Sequence, residues 1–313
     1  MNLRHLGPSG LAVSEVGLGC NNFGRRIDLE QTRAVIHKAL DLGITLFDTA
    51  DVYGPDGKSE TLMGQVIGPR RKDIVLATKF GLPFAGDKRM SGGSRRYIVQ
   101  AVEASLKRLQ TDWIDLYQLH DHDPTTPVEE TLAALDTLIR QGKVRYVGCS
   151  NLPAWRVVES VWTARDRRTA GFISCQDEYS LLTRGAEAEL LPAIEAYGLG
   201  LLPYFPLACG MLTGKYRKGA ALPAGTRLAN TQSLADTYMT EANWAIVERL
   251  RVYAEERGHT LLDLAFGWLL ARRCVSSVIA GATKPEQLEQ NVAAAGWVLT
   301  PAEKAEIDEL ARK

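Results

Sequence analysis

The fold is decided by residues 45–80, TLFDTADVYGPDGKSETLMGQVIGPRRKDIVLATKF. The apolar run at 45–49 predicts a short buried strand, the spacing at 60–67 predicts a helix, and 74–78 predicts a second strand. Strands joined through a helix lie parallel, because the helix carries the chain back to the end where the first strand began. The stretch therefore predicts one β-α-β unit.

The same alternation continues along the chain. Eight apolar runs, each followed by a helical pattern, predict strands at 16–19, 45–49, 74–78, 114–119, 144–150, 172–176, 199–204 and 275–280. Short apolar strands that alternate with amphipathic helices indicate a parallel sheet in an α/β protein. Eight such units in 313 residues favour a closed (β/α)8 TIM barrel, with residues 1–313 as a single domain.

Further elements flank the barrel in the sequence. Residues 2–13 have the pattern of an N-terminal β-hairpin, with a turn at 7–10. Thr300 stands three residues before Glu303 and directly before a proline, which predicts a capping box and an extra C-terminal helix. Thr126 and Glu129 predict the same kind of start for an earlier helix.

The main alternative is an open, doubly wound sheet that binds a dinucleotide. Its fingerprint requires glycine at three positions of the pattern G-x-G-x-x-G. Residues 17–22, GLGCNN, supply the first two glycines but place Asn22 at the third. The fingerprint fails, so the closed barrel is favoured.

The composition excludes several classes of protein. The formal net charge is zero, with 45% hydrophobic and 24% charged residues, so neither nucleic acid nor an anionic membrane is an expected partner. The five cysteines are scattered and form no CxxC pair, so no disulfide framework or zinc site is predicted. The first ten residues lack a signal-peptide core, which favours a cytoplasmic location. The uncharged run at 196–214 contains two prolines, so a membrane span is not predicted.

Four chemically active side chains follow three of the predicted strands. Asp48, Lys79 and His120 end the second, third and fourth strands, and Tyr53 lies in the turn after the second. In a barrel the carboxyl ends of the strands meet at one face, so these four residues should converge as a catalytic site. A tyrosine, whose usual pKa is about 10, donates its proton readily only if a cation stabilises the phenolate, and a carboxylate makes such a buried cation tolerable. His122 shares the side of His120, but no third ligand is visible, so no metal is predicted.

Eight short motifs, in order, resemble those of the aldo-keto reductase family. They are GLGCNNFG (17–24), FDTADVYG (47–54), ATKF (77–80), LHDHD (119–123), GKVRYVGCSN (142–151), QDEYSLL (176–182), PLACGMLTGKY (206–216) and GATKPEQLEQN (281–291). The resemblance implies a barrel that reduces aldehydes or ketones to alcohols by hydride transfer from nicotinamide C4. It also implies that Tyr53 gives the proton, that Lys79 with Asp48 lowers the pKa of Tyr53, and that His120 positions the carbonyl.

The resemblance further implies a cofactor site. The implied contacts to the nicotinamide are Ser150, Asn151, Gln176 and Tyr204, those to the pyrophosphate are Pro206, Leu207, Ala208, Gly210, Lys215 and Arg227, and those to the adenosine are Gly281, Thr283, Lys284, Gln287 and Asn291. Lys284 suits the 2′-phosphate of NADPH, although the uncharged Thr283 and Gln287 leave NADH possible. The connection at 205–240 is unusually long, as is that at 81–93, and is expected to close over the cofactor.

The substrate and the alternative function are less defined. A small-molecule carbonyl compound is expected, in a pocket lined by loop residues Asn21, Asn22, Phe23, Phe80, Phe84 and His122. The resemblance includes the potassium-channel β-subunit branch, so a nucleotide-binding regulatory subunit with little turnover is the alternative. Mammalian-type members of that branch lack the histidine that stands here as His120, which favours the enzyme. The oligomeric state is left open.

Overall fold

In the computed structural model, which describes residues 1–312, eight parallel strands form a barrel. The ten strands in chain order are Leu3–His5 (β1), Ala12–Ser14 (β2), Val16–Gly19 (β3), Leu46–Asp48 (β4), Val75–Phe80 (β5), Ile114–Leu119 (β6), Val144–Ser150 (β7), Ser174–Glu178 (β8), Gly200–Tyr204 (β9) and Val278–Gly281 (β10). The parallel sheet has the order β10-β3-β4-β5-β6-β7-β8-β9. A parallel bridge between Leu201 and Val275 joins its two edges. The predicted (β/α)8 barrel is confirmed.

Helices surround the barrel. They are Leu29–Asp41 (α1), Lys58–Ile67 (α2), Arg95–Leu109 (α3), Val128–Arg140 (α4), Ala154–Arg167 (α5), Leu190–Tyr197 (α6), Arg227–Asn230 (α7), Gln232–Tyr238 (α8), Glu241–Glu255 (α9), Leu261–Leu270 (α10), Pro285–Ala294 (α11) and Pro301–Leu310 (α12). Their buried residues recur at helical spacing, as Val35, Ile36 and Ala39 do in α1, so one face of each long helix packs on the sheet. No helix within residues 1–312 has both the length and the apolar character needed to cross a membrane.

The N-terminal hairpin, β1 and β2, plugs the barrel at the end where the strands begin. Leu6 and Val13 have no exposed surface and join the small apolar cluster inside the barrel, with Leu46, Ala77, Leu116, Leu202 and Ile279. Gly7 has φ +56°, and a Cβ there would lie 2.1 Å from the carbonyl oxygen of Ile173. Only glycine fits this close approach, and the opposite end of the barrel stays available for a site.

The two predicted capping boxes had different outcomes. At the start of α12 the Thr300 side chain accepts from the Glu303 N–H and the Glu303 side chain accepts from the Thr300 N–H, as predicted. At the start of α4 the prediction was wrong, because Pro127 is the cap residue and makes no side-chain cap bond. The Thr126 hydroxyl instead donates to Asp123 Oδ2 at 2.6 Å. A nearby carboxylate is the stronger acceptor and draws the hydroxyl away from the helix.

Candidate active site at the mouth of the barrel

The ammonium of Lys79 lies at the centre of a buried polar cluster. Its Nζ is 2.6 Å from Asp48 Oδ2, 3.0 Å from the Thr49 carbonyl oxygen and 3.4 Å from Tyr53 Oη. Adjacent strands β4 and β5 bring these groups together, and the Lys79 side chain has no exposed surface. Burial alone would lower the pKa of Lys79, but the charge of Asp48 and the hydrogen bonds to Asp48 and Tyr53 outweigh this effect, so the pKa is raised. Lys79 is therefore a buried cation at neutral pH.

Two glutamines fix the orientation of the Asp48 carboxylate. Gln176 Nε2 and Gln118 Nε2 donate to Asp48 Oδ1 at 2.9 and 3.2 Å, while Oδ2 accepts from Lys79. All four side chains are buried, and they come from four different strands, β4, β5, β6 and β8. Gln118 is absent from the sequence prediction. Strand alternation could have identified it, because it lies two residues before His120 and so faces the same side.

Tyr53 is a half-buried residue whose hydroxyl lies beside the Lys79 ammonium. Burial raises the pKa of Tyr53 above its usual value, the charge of Lys79 acts in the opposite direction, and Asp48 adds to the rise. Lys79 thus lowers the pKa of Tyr53 as predicted, but the net direction is upward because burial of the phenol outweighs the effect of Lys79. Tyr53 therefore keeps its proton at neutral pH.

His120 completes the group of four predicted residues. Its backbone N–H donates to the Phe80 carbonyl oxygen at 2.8 Å, and its ring centroid is 5.7 Å from that of Tyr53. Burial first, and then the charge of Lys79, lower the pKa of His120 well below its usual range. The imidazole is thus neutral and carries one N–H donor. Its Nδ1 has no hydrogen-bond partner among the described residues.

The residues predicted to contact a nicotinamide lie next to this group. Asn151, whose φ is +57°, donates from Nδ2 to the His120 carbonyl oxygen at 3.0 Å and to Ser150 Oγ at 3.1 Å. Its Oδ1 accepts from the Tyr204 hydroxyl at 2.9 Å. Both amide hydrogens of Asn151 are therefore hydrogen-bonded. Asn151 links the half-buried Tyr204 ring to the end of β6. Gln176, bonded to Asp48, connects this group to the four predicted catalytic residues.

The residues predicted to contact a pyrophosphate lie in the connection after β9. Ala208, Cys209 and Gly210 have φ of +45°, +56° and +101°, within a tight turn at 208–213 that also follows Pro206 and Leu207. Successive backbone N–H groups in such turns form a concavity that suits anions. Lys215 folds back over this turn, since a Cβ at Gly210 would lie 2.7 Å from Lys215 Nζ. The turn and its cation suit a phosphate-bearing cofactor.

The residues predicted to contact an adenosine lie around the start of α11. Gln287 Oε1 accepts from the Thr283 N–H at 2.7 Å, Lys284 is exposed at the cap position, and Asn291 is buried. The exposed Gly281 lies beside two asparagines of the β3–α1 loop, Asn21 and Asn22. Arg227 donates to both asparagine side chains at 3.3 and 3.2 Å. Arg227 thus connects the pyrophosphate and adenosine groups of residues, and the two form one strip.

Two of the six predicted substrate residues, Phe23 and Phe80, are buried away from the mouth of the barrel. Phe23 and Phe80 have no exposed surface and lie in the large apolar core, where Phe80 packs on Tyr117 at 4.6 Å. This corrects their assignment, because side chains between barrel and helices cannot line an open pocket. Phe84 lies 5.1 Å from the Arg108 guanidinium, over the outer helices.

The three remaining substrate predictions, Asn21, Asn22 and His122, have other surroundings. Asn21 and Asn22 contact Arg227, on the cofactor side. His122 Nε2 accepts from Arg156 Nε at 3.2 Å and its ring meets Trp155 edge-on. Within residues 1–312 no three His, Cys, Asp or Glu side chains converge as metal ligands would.

A second buried network backs the segment between Asp48 and Tyr53, and the sequence prediction missed it. Asp51 is 1% exposed and its Oδ2 accepts from the Tyr97 hydroxyl at 3.2 Å. Burial first, and then the charge of Glu60, raise the pKa of Asp51 to about 7. Glu60 accepts from Arg108 at 2.7 Å and from Thr78, the neighbour of Lys79, at 2.6 Å. The network ties α2 and α3 to the strand that carries Lys79.

Comparison with known proteins gives matches along nearly the full chain. A family profile described as the Aldo/keto reductase family matches residues 15–312. The chain is 40% identical over 313 residues to a probable voltage-gated potassium channel subunit beta of Arabidopsis thaliana, covering 96% of this chain and 94% of the relative. It is 38% identical over 304 residues to the uncharacterized oxidoreductase YrpG of Bacillus subtilis, covering 94% and 91%. It is 36% identical over 321 residues to the L-glyceraldehyde 3-phosphate reductase of Escherichia coli, covering 99% and 92%.

Proposed function

The chain belongs to the aldo/keto reductase family and is an oxidoreductase, and we propose that it reduces small aldehydes or ketones to alcohols with NADPH. The observation that carries the proposal is the hydrogen-bonded series from Asp48 through Lys79 to Tyr53, with the neutral His120 beside the tyrosine. This arrangement pairs a proton donor with a second hydrogen-bond donor at one point. A carbonyl oxygen is the group that requires both.

Each residue has one task in the proposed reaction. The bound cofactor supplies a hydride to the carbonyl carbon. Tyr53 donates its proton to the carbonyl oxygen, and the ammonium of Lys79, 3.4 Å from Tyr53 Oη, stabilises the phenolate that remains. His120 donates a hydrogen bond to the same oxygen, because its imidazole is neutral and keeps an N–H. Asp48, oriented by Gln118 and Gln176, makes the buried ammonium tolerable.

The strip of residues beside the mouth supports a dinucleotide cofactor. Tyr204 offers an aromatic face braced by Asn151. The turn at 208–213 with Lys215 suits the pyrophosphate, and the exposed Lys284 at the start of α11 suits a 2′-phosphate. The Lys284 ammonium would attract that phosphate, whereas a carboxylate at this position would repel it. The lysine therefore favours NADPH over NADH.

A second candidate function is a nicotinamide-nucleotide-binding regulatory subunit with little turnover. It is favoured by the 40% identity to a plant protein named as a potassium channel β subunit. In that function the cofactor strip would be used and the proton donor would be idle. The complete series of Asp48, Tyr53, Lys79 and His120 favours the reductase.

The test is reduction followed at 340 nm with NADPH and, separately, NADH against a panel of aldehydes, ketones and 1,2-dicarbonyls. We expect Tyr53→Phe to lower the rate by about 10²–10⁴-fold while the Kd for NADPH changes little, because the hydroxyl acts in the transition state. Tyr197→Phe, a change of the same kind on the outer face of the barrel, should leave the rate unchanged. Tight NADPH binding without turnover across the panel would favour the regulatory subunit, and equal loss of cofactor binding in Tyr53→Phe would contradict the assigned role.

A further inference from the structure

Three cations from two loops lie near the turn at 208–213. Arg26 comes from the β3–α1 loop, and Lys215 and Arg227 come from the connection after β9. Arg26 Nη2 donates to the Gly225 carbonyl oxygen at 2.6 Å, two residues from Arg227. Arg26 and Arg227 are close enough to Lys215 that both repel its charge, and Arg227 likewise repels Arg26.

These cations lack a counterion. The hydrogen-bond acceptors of Arg26 and Arg227 are uncharged: the Gly225 carbonyl oxygen and the amide oxygens of Asn21 and Asn22. The Arg227 guanidinium also lies over the ring of Phe205, 5.2 Å from its centroid. Lys215 lies over the ring of Tyr216, with its Nζ 5.1 Å from the ring centroid. Within residues 1–312 no carboxylate forms an ion pair with any of the three. Partial burial and mutual repulsion lower the pKa of Arg26 and of Lys215, so the cluster is unfavourable until an anion joins it.

The surroundings of the cluster also favour an anion. The left-handed residues Ala208, Cys209 and Gly210 form the turn over which Lys215 folds. Two guanidinium groups and an ammonium beside such a turn provide planar, forked donors together with a point charge, which is the donor set that phosphate oxygens accept. A carboxylate ligand would need fewer hydrogen-bond donors than this cluster presents, so the cluster fits a phosphate group better.

We propose that Arg26 is a phosphate-binding residue, which with Lys215 and Arg227 holds the diphosphate of the cofactor from the side of the β3–α1 loop. For the cofactor this inference rests on the proposed function, whereas binding of the phosphate group itself does not. Arg26 lies 199 residues from Gly225 in the sequence. An anion shared by the two loops would therefore fasten the long connection to the β3–α1 loop, which lies at the same end of the barrel.

The test compares Arg26→Gln with Arg25→Gln, an adjacent exposed arginine, so that the two variants lose the same charge. Isothermal titration calorimetry with inorganic pyrophosphate, NADH and NADPH measures each Kd without any turnover. We expect Arg26→Gln to weaken all three by about tenfold, and Arg25→Gln by less than about twofold, because a charge-assisted hydrogen bond is lost only in the first. Arg26→Lys, which keeps the charge, should recover part of the affinity and shows whether a loss comes from the fold.

Two other results are informative. Unchanged cofactor affinities, together with a raised KM in Arg26→Gln for a phosphorylated aldehyde but not for the same aldehyde without phosphate, would assign Arg26 to the phosphate of a substrate. Equal effects of Arg26→Gln and Arg25→Gln on pyrophosphate, both cofactors and the phosphorylated aldehyde would overturn the proposal. Because the calorimetry needs no reduction, failure of the proposed reductase activity would leave this result readable.

Discussion

At the scale of single residues, the chemistry of the site depends on how one buried charge is balanced. The charged Lys79 Nζ donates hydrogen bonds both to the Asp48 carboxylate and to the Tyr53 hydroxyl. Tyr53 is consequently not acidic at rest, and its pKa is raised by burial. In the proposed reaction, Tyr53 would release its proton as charge develops on the substrate oxygen, since Lys79 would stabilise the phenolate as it forms. The proposal therefore requires proton donation in the transition state and no ionisation of Tyr53 beforehand.

A prediction at this scale concerns the exposed Lys284. We expect Lys284→Ala to weaken NADPH by about tenfold and NADH by less than about twofold, because only NADPH carries the 2′-phosphate that this cation would pair with. Fluorescence titration of both cofactors measures the two affinities. Lys72→Ala removes an exposed lysine from the segment that precedes β5, at the opposite end of the barrel, and serves as the control. Equal weakening of NADPH and NADH would exclude the 2′-phosphate role.

At the scale of elements, the connection between β9 and α9 differs most from the prediction. The pattern at 205–240 predicted a long irregular loop, but it contains the turn at 208–213 and the short helices α7 and α8. Tyr238 at the end of α8 donates to Glu178, and Arg26 and Asn21 bond the segment near α7. The connection is therefore fastened at several points by polar contacts, and few of its residues between 217 and 227 are buried. Such a segment opens more easily than the core.

The corresponding prediction is that NADPH protects this connection from trypsin. Arg217 and Lys218 are exposed, and a cofactor that contacts both this connection and the β3–α1 loop should slow cleavage there several-fold. Mass spectrometry of the fragments over time measures each site separately. Lys88 and Arg89 lie exposed in the loop at 81–93 and provide an internal control that should be cut at an unchanged rate. Cleavage at 217–218 that is unaffected by NADPH would show that the connection does not close over the cofactor.

At the scale of the whole molecule, the closed barrel determines which carboxylates are buried, and burying a charged carboxylate lowers the stability of the fold. Asp51 is buried behind the site with Glu60 nearby, and Arg108 and Tyr97 only partly offset the cost of its charge, so its pKa rises to about 7. In the unfolded chain this pKa is about 4. Between about pH 4 and about pH 7, Asp51 has lost its proton in the unfolded chain but keeps it in the folded chain. The stability that Asp51 contributes at low pH is therefore lost as the pH rises from about 4 to about 7.

We accordingly expect Asp51→Asn to be more stable, relative to the native protein, at pH 8 than at pH 5. A difference of three pKa units corresponds to at most about 4 kcal/mol, of which about 2.6 kcal/mol should appear between these two pH values. Urea unfolding of both proteins at each pH measures the free energies. Asp56→Asn makes the same change at an exposed position of the same loop and should show no such dependence. A constant difference between Asp51→Asn and the native protein would contradict the raised pKa.

The sequence by itself determined the barrel, its order of elements and which side chains end its strands. These features follow from local patterns, because apolar periodicity and the carboxyl ends of parallel strands need no coordinates. It therefore located Asp48, Lys79 and His120, and with the family resemblance it named the strip from Ser150 to Asn291.

Only the tertiary structure decided the features that depend on how deeply a side chain is buried and on the direction in which it points. The raised pKa of Tyr53 depends on desolvation. The hydrogen bonds from Gln118 to Asp48 and from Arg26 to Gly225 join residues that are far apart in the sequence. Phe23 and Phe80 were misassigned for the same reason, since a loop position does not reveal whether a side chain faces the mouth or the core. Desolvation and side-chain direction are set by all the elements around a residue, and a local pattern contains neither.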